Sequence, residues 1–241
     1  MTDVTATPVP DNAPGPGLAS RLIGVVFSPR DAYTAVAARP RVLGALVVSI
    51  LIFAVVNGVF LSTEVGQSAT LDQQLSVMKS LGVTVTNEMV QQMESRMAIA
   101  PYTTAASMIV FIPLVCAIMA GLLLAIFTAV MGGGATYKQV YAVVAHSTII
   151  GAVQQIFSVP IMYARGEMVS PTKLSVFFPM LSETSFFTYF LSVIDLFYLW
   201  SLINLSIGVA VLYKRSTGAV AAVLLGIYVV IAVIIAAVRA F

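Results

Sequence analysis

Apolar positions run in long unbroken stretches along this chain, and charged residues punctuate them. Windows 42–63, 97–137, 139–164, 184–213 and 216–238 contain no Asp, Glu, Lys or Arg other than Asp195. One membrane crossing takes ~20 apolar residues at about 1.5 Å each, so each window fits one span and none fits two. In the longest window, Pro101 can open a helix and Gly132-Gly133-Gly134 forms the turn that closes it. The pattern predicts an all-α integral membrane protein, a five-transmembrane-helix bundle with spans at about 42–62, 103–131, 139–163, 186–212 and 217–238. A closed barrel would alternate apolar and polar residues over ~10-residue segments, whereas these runs are continuously apolar.

The remaining segments carry weaker patterns. Residues 1–17, rich in Pro and Gly, read as a disordered tail, and 18–241 as a single five-span domain. Leu18, Leu22 and Val25 or Val26 repeat at helical spacing; Ser28 then stands as an N-cap, with Pro29 at the first helical position and Asp31 in the first turn. This predicts two short amphipathic helices on the inner interface or packed on the bundle, with Arg21, Arg30 and Arg39 near lipid phosphates. Between the first two spans, Leu71, Leu75 and Met78 share one helical face and Gly82 can end that helix. Thr86 or Asn87 can start a second helix, on which Met89, Met93 and Met97 form a stripe, for packing or as an adaptable binding surface. An extramembrane helical hairpin follows.

Composition agrees. The chain is 59% hydrophobic and 9% charged, with a mean hydropathy of +1.00, where a soluble domain has about 25% charged residues. The net charge of +2 comes without a basic stripe, so no nucleic-acid partner is expected. Cys116 is the one cysteine, so no internal disulfide forms. The start lacks the charged-then-apolar order of a signal peptide. Placing the N-terminus inside puts Arg21, Arg30, Arg39, Arg41, Lys138, Lys214 and Arg215 on the inner side, against Lys79, Arg96, Arg165, Lys173 and Arg239 outside. The positive-inside rule therefore favours a cytoplasmic N-terminus and an outer C-terminus. An Ala- and Val-rich chain without a targeting signal is expected in a bacterial cytoplasmic (inner) membrane.

Candidate chemistry is confined to polar groups within the spans. Asp195 is the sole acid deep in one, a placement costing at least ~2.5–3.5 kcal/mol when unpartnered. No Lys or Arg lies within any span, so it needs hydroxyl or amide partners, a helix end, or water. Tyr198 shares its face. Asn204 lies half a turn round, on a face with Trp200 and Gly208. In the third span, Ser147, Gly151, Gln154 and Ser158 form one stripe, with His146 and Gln155 nearby. Ala117, Gly121, Ala125 and Ala129 in the second span, and Gly218, Ala222 and Gly226 in the fifth, are small residues at close-packing spacing. Two readings stand: interhelical hydrogen bonds that hold the bundle, or a proton or ion relay through Asp195, Gln154 and His146. One His and one Cys do not assemble a zinc site, an aspartyl protease needs a second acid, and the Gly132-Gly133-Gly134 turn lacks a GK[ST] ending. The chain reads as non-enzymatic, without a cofactor. Membrane lipids, and protein partners or a second copy, are its expected partners.

Three segments resemble a known family. "MGGGATYKQVYAVVAHSTI" is similar to the Gly-rich turn and following span of the Yip family of Ypt/Rab-interacting membrane proteins. "DLFYLWSLINLSIGVAVLYKRS" resembles that family's next hallmark, and "FSPRDAYTAVAARP" resembles the lead-in of its prokaryotic-type members. The resemblance implies a five-helix bundle with an inner N-terminus and a scaffold or interaction role. Eukaryotic relatives act with small GTPases through a long cytosolic region, and a short Pro/Gly tail stands in its place here. The alternative function is a small transporter or channel built on Asp195 and the Gln154/His146 region.

Overall fold

The computed structural model describes residues 16–182 and 184–240; the expected tail falls, up to residue 15, outside them. Five helices are long and apolar enough to cross a membrane: α3 (Leu43–Leu61), α6 (Ala100–Met131), α7 (Tyr137–Arg165), α9 (Leu196–Tyr213) and α10 (Thr217–Ala240). Five further α-helices, α1 (Leu18–Phe27), α2 (Pro29–Ala38), α4 (Glu64–Ser80), α5 (Asn87–Met97) and α8 (Phe186–Val193), and one 3-10 turn at Leu174–Phe177 complete the described elements. The described residues contain no β-strand beyond one isolated antiparallel bridge, Lys173 to Asp195.

Helix α7 is the centre of the bundle and the most buried of the spans. It packs against α3, α6 and α9, and α10 joins through α9. Its start is fixed locally: the Thr136 hydroxyl accepts from the Gln139 N–H, and the Gln139 side chain accepts from the Thr136 N–H, a reciprocal cap that satisfies two orphan donors. The preceding glycines make the predicted turn, Gly132 and Gly133 adopting positive φ of 64° and 127°, which residues with a Cβ rarely enter.

The expected fourth span, 186–212, is not one helix. It is broken at Ile194 and Asp195, both extended, into α8 and α9. Asp195 therefore starts a helix rather than interrupting one. The small-residue stripes are not the main packing faces either. On α6 the buried face is Cys116, Ala120, Leu123 and Phe127, while a Cβ added at Gly121, Gly218 or Gly226 meets nothing within 4 Å. Close approach falls at Gly208, where an added Cβ would lie 2.5 Å from Val143 Cγ1.

The two predicted N-terminal helices form and pack under the bundle. Val25, Tyr33 and Val36 are fully buried, and α2 lies on α7 and α9. Ser28 holds the N-cap position of α2, but its side chain makes no capping bond. At this same end the Gln139 amide donates to the Ala37 carbonyl at 3.1 Å. The hairpin α4–α5 also forms. Gly82 turns with φ 76°, its N–H bonding Lys79 O while Val83 N–H bonds Met78 O, a Schellman ending. Thr63 and Thr86 cap α4 and α5. Phe60, Leu61, Ala69 and Val159 bury together and tie α4 to α3 and α7.

Candidate functional site

The break between α8 and α9 is built around Asp195, which is 3% exposed. Its Oδ1 accepts from the Phe197 N–H at 2.9 Å and the Tyr198 N–H at 3.4 Å, which is N-capping. The same oxygen accepts from Gln154 Nε2 of α7 at 3.2 Å. Its Oδ2 accepts from the Ser170 hydroxyl at 2.6 Å and the Thr172 hydroxyl at 2.9 Å. Five donors thus converge on one carboxyl group, and the positive end of the α9 dipole points at it.

The broken backbone is satisfied as well. Leu174 N–H donates to Ile194 O at 2.8 Å and Leu196 N–H to Thr172 O at 3.1 Å. The Tyr228 hydroxyl of α10 donates to Val193 O at 2.7 Å and accepts from Asp195 N–H at 3.3 Å. Buried non-helical backbone persists only where such groups are paired inside the protein. Residues 170–174 therefore return to the bundle and fill the gap.

A second cluster lies halfway along α9. Asn204 is 1% exposed. Its Oδ1 accepts from the Tyr33 hydroxyl, and its Nδ2 donates to the Val25 carbonyl at 2.6 Å. Within α1 that carbonyl would bond the N–H of residue 29, but residue 29 is proline and has none. Asn204 supplies the missing donor and joins the α1–α2 corner to α9. Burial pushes the Tyr33 hydroxyl above the ordinary phenol range. Gly208, one turn further, leaves room for the Tyr33 ring and Val143, while Trp200 is half-buried and packs against Phe197.

The matching segments of the sequence can now be placed. The Yip1 domain family profile matches residues 23–239. The chain belongs to the Yip family. No curated protein and no solved structure matches it. Within this Yip domain the Gly-rich turn, the Asp195 helix start and the α1–α2 corner are the three segments singled out in the sequence.

The structure joins some of the expected polar residues and separates others. Gln154 reaches Asp195, whereas His146 does not. His146 is fully buried, its Nδ1 lies 2.8 Å from the Ala142 carbonyl of its own helix, and its Nε2 has no partner. Eight residues of helix, about 12 Å of rise, separate it from Gln154. Ser147 bonds the Val144 carbonyl. Tyr198 is 58% exposed and stacks on Tyr228. Ser147, Gly151, Gln154 and Ser158 do line one cavity of about 610 Å³, walled by Val115, Cys116 and Met119 of α6 and by Tyr198, Ser201 and Leu202 of α9. Ser158 Oγ there is buried and unpartnered.

Ser170, Thr172, Tyr228 and Tyr33 were absent from the candidates. Ser170 and Thr172 sit in a loop with no periodicity, and nothing local signals its return. The proline after Val25 was visible, but the donor that answers it is 179 residues away.

Proposed function

We propose that this Yip-domain protein is a non-enzymatic membrane-organising or protein-interaction scaffold of a bacterial inner membrane. Residues 18–241 act as one domain, with the N-terminus cytoplasmic and the C-terminus outside. The observation that carries the reading is the use made of Asp195. Both its oxygens are engaged in capping α9 and holding α7 and residues 170–172, so the group serves as a rigid joint. Asn204 serves likewise at the α1–α2 corner. Two such joints fix the relative placement of the spans, which suits a surface that holds partners.

The orientation gains support from the clustering of ends. Helices α1 and α2, the 132–136 turn and the α9–α10 junction lie together, which gathers the basic residues of the positive-inside count at one end. Cysteines introduced at Ser28 and Ser80 should label from opposite sides, Ser28 from the cytoplasm. Labelling of both from one side contradicts the proposed placement.

A second reading, transport, is favoured by the 610 Å³ cavity along α7, which runs beside Gln154 and Ser170. Proteoliposomes separate the two readings. The scaffold reading expects no proton, ion or solute flux above protein-free vesicles. A flux abolished by Asp195→Asn would overturn it and make Asp195 a coupling residue.

A further inference from the structure

We propose that Arg21, Arg39 and Arg41 bind the phosphate of an anionic membrane lipid. The three side chains line one small cavity of about 30 Å³, together with Pro16 and Ala35, more than one water needs. They come from three different segments: α1, the end of α2, and the link to α3. Arg21 is 7% exposed, and its Nε is buried with no hydrogen-bond partner. A buried guanidinium N–H without a partner is costly, and here the neighbouring charge is another cation. Burial, and then Arg41, both lower the affinity of Arg21 for its proton. Among the described residues no carboxylate pairs with any of the three. An anion in the cavity relieves both the unpaired group and the repulsion, and the planar fork of arginine matches phosphate oxygens.

The surroundings favour a lipid over a free ion. Arg41 lies two residues before the first turn of α3, a membrane span, where headgroup phosphates sit. The Leu18 side chain packs on Gly44, so α1 is held against that turn. Ile23 and Phe27 of α1, and Leu43 and Val47 of α3, are large apolar side chains left exposed. They offer acyl chains a surface beside the charged pocket, which inorganic phosphate would not need. The inference requires only that α3 spans the membrane, and it stands apart from the scaffold reading.

Native mass spectrometry of the full chain released from nanodiscs of equal phosphatidylglycerol and phosphatidylcholine tests it. One phosphatidylglycerol should be retained preferentially. Arg39→Gln and Arg41→Gln, both at exposed positions and so tolerated by the fold, should each lower retention about tenfold, the worth of one charge-assisted bond. Arg21→Gln should lower it further, and Arg21→Lys should restore it only in part because it lacks the fork. Arg30→Gln, exposed and outside the cavity, should leave retention unchanged. Equal retention of the two lipids overturns the proposal, as does a loss with Arg30→Gln equal to that with Arg41→Gln. Displacement of the lipid by inorganic phosphate, with equal thermal stabilisation, would assign the pocket to a soluble anion and overturn the lipid assignment.

Discussion

Replacing Asp195 by Leu would take one acceptor away from five donors. The Phe197 and Tyr198 N–H groups would lose the cap of α9, worth about 1 kcal/mol. Gln154 Nε2 would be left facing an apolar side chain at about 1–3 kcal/mol. The Ser170 and Thr172 hydroxyls lie 3.0 Å apart, so each can turn to the other and recover part of its loss. The expected cost is about 3 kcal/mol. Asp195→Asn behaves differently. Its Oδ1 can still cap α9 and accept from Gln154. Its Nδ2 would then face two hydroxyl oxygens that can reorient to accept. Only the charge assistance is lost, about 1 kcal/mol. Reversible unfolding of the purified protein in mixed micelles should rank wild type above Asn and Asn above Leu, with the gap between the variants near 2 kcal/mol. If Leu proves as stable as Asn, the five bonds are not what holds the break, and a hydrated site takes their place. Ser170→Ala together with Thr172→Val supplies the converse test: the effect of Asp195→Leu should shrink in that background.

The second cluster should show the same coupling. Asn204→Leu strands the Val25 carbonyl and the Tyr33 hydroxyl and should cost about 2–4 kcal/mol. In a double-mutant cycle with Tyr33→Phe the losses should be less than additive, and strict additivity would deny the contact. Gly208→Ala places a Cβ 2.5 Å from Val143 Cγ1 and should destabilise by about 1–3 kcal/mol; Val143→Ala should rescue it, and a failure of rescue would locate the strain elsewhere. The buried Tyr33 hydroxyl sets a pH dependence. Its folded pKa is raised, so its contribution is fully present below the unfolded value of about 10 and lost as pH rises above that. The stability of wild type should therefore fall more steeply above about pH 10 than that of Tyr33→Phe, and equal slopes would contradict the burial.

Some of this architecture is set by residue order alone. Span number follows from the spacing of charges, because a charged side chain in hydrocarbon costs more than the fold can recover unless it is partnered. Helix starts at Pro29 and at Thr86 or Asn87, and the turns at Gly82 and Gly132-Gly133, are local rules of capping and positive φ, and they form where the residues predict; the cap at Thr136 follows the same local rule. The face of α7 that carries Ser147, Gly151, Gln154 and Ser158 was legible from period 3.6, and it does line one cavity. The role of Asp195 was not legible. An acid in an apolar run is equally compatible with a lone charge in a helix, a relay, or a helix start. Only the return of residues 170–174 alongside 194–196 decided it, since that loop supplies the partners that let the helix break. The small-residue stripes failed for a related reason. Spacing shows which residues allow close approach, but which face meets a neighbour depends on how all the helices share the available surface. Burying α1 and α2 beneath α7 and α9 likewise rests on one carbonyl that proline leaves without a donor and on an asparagine far along the chain that answers it. Local patterns fix elements because their causes lie within a few residues; the joints between elements depend on groups that only folding brings together.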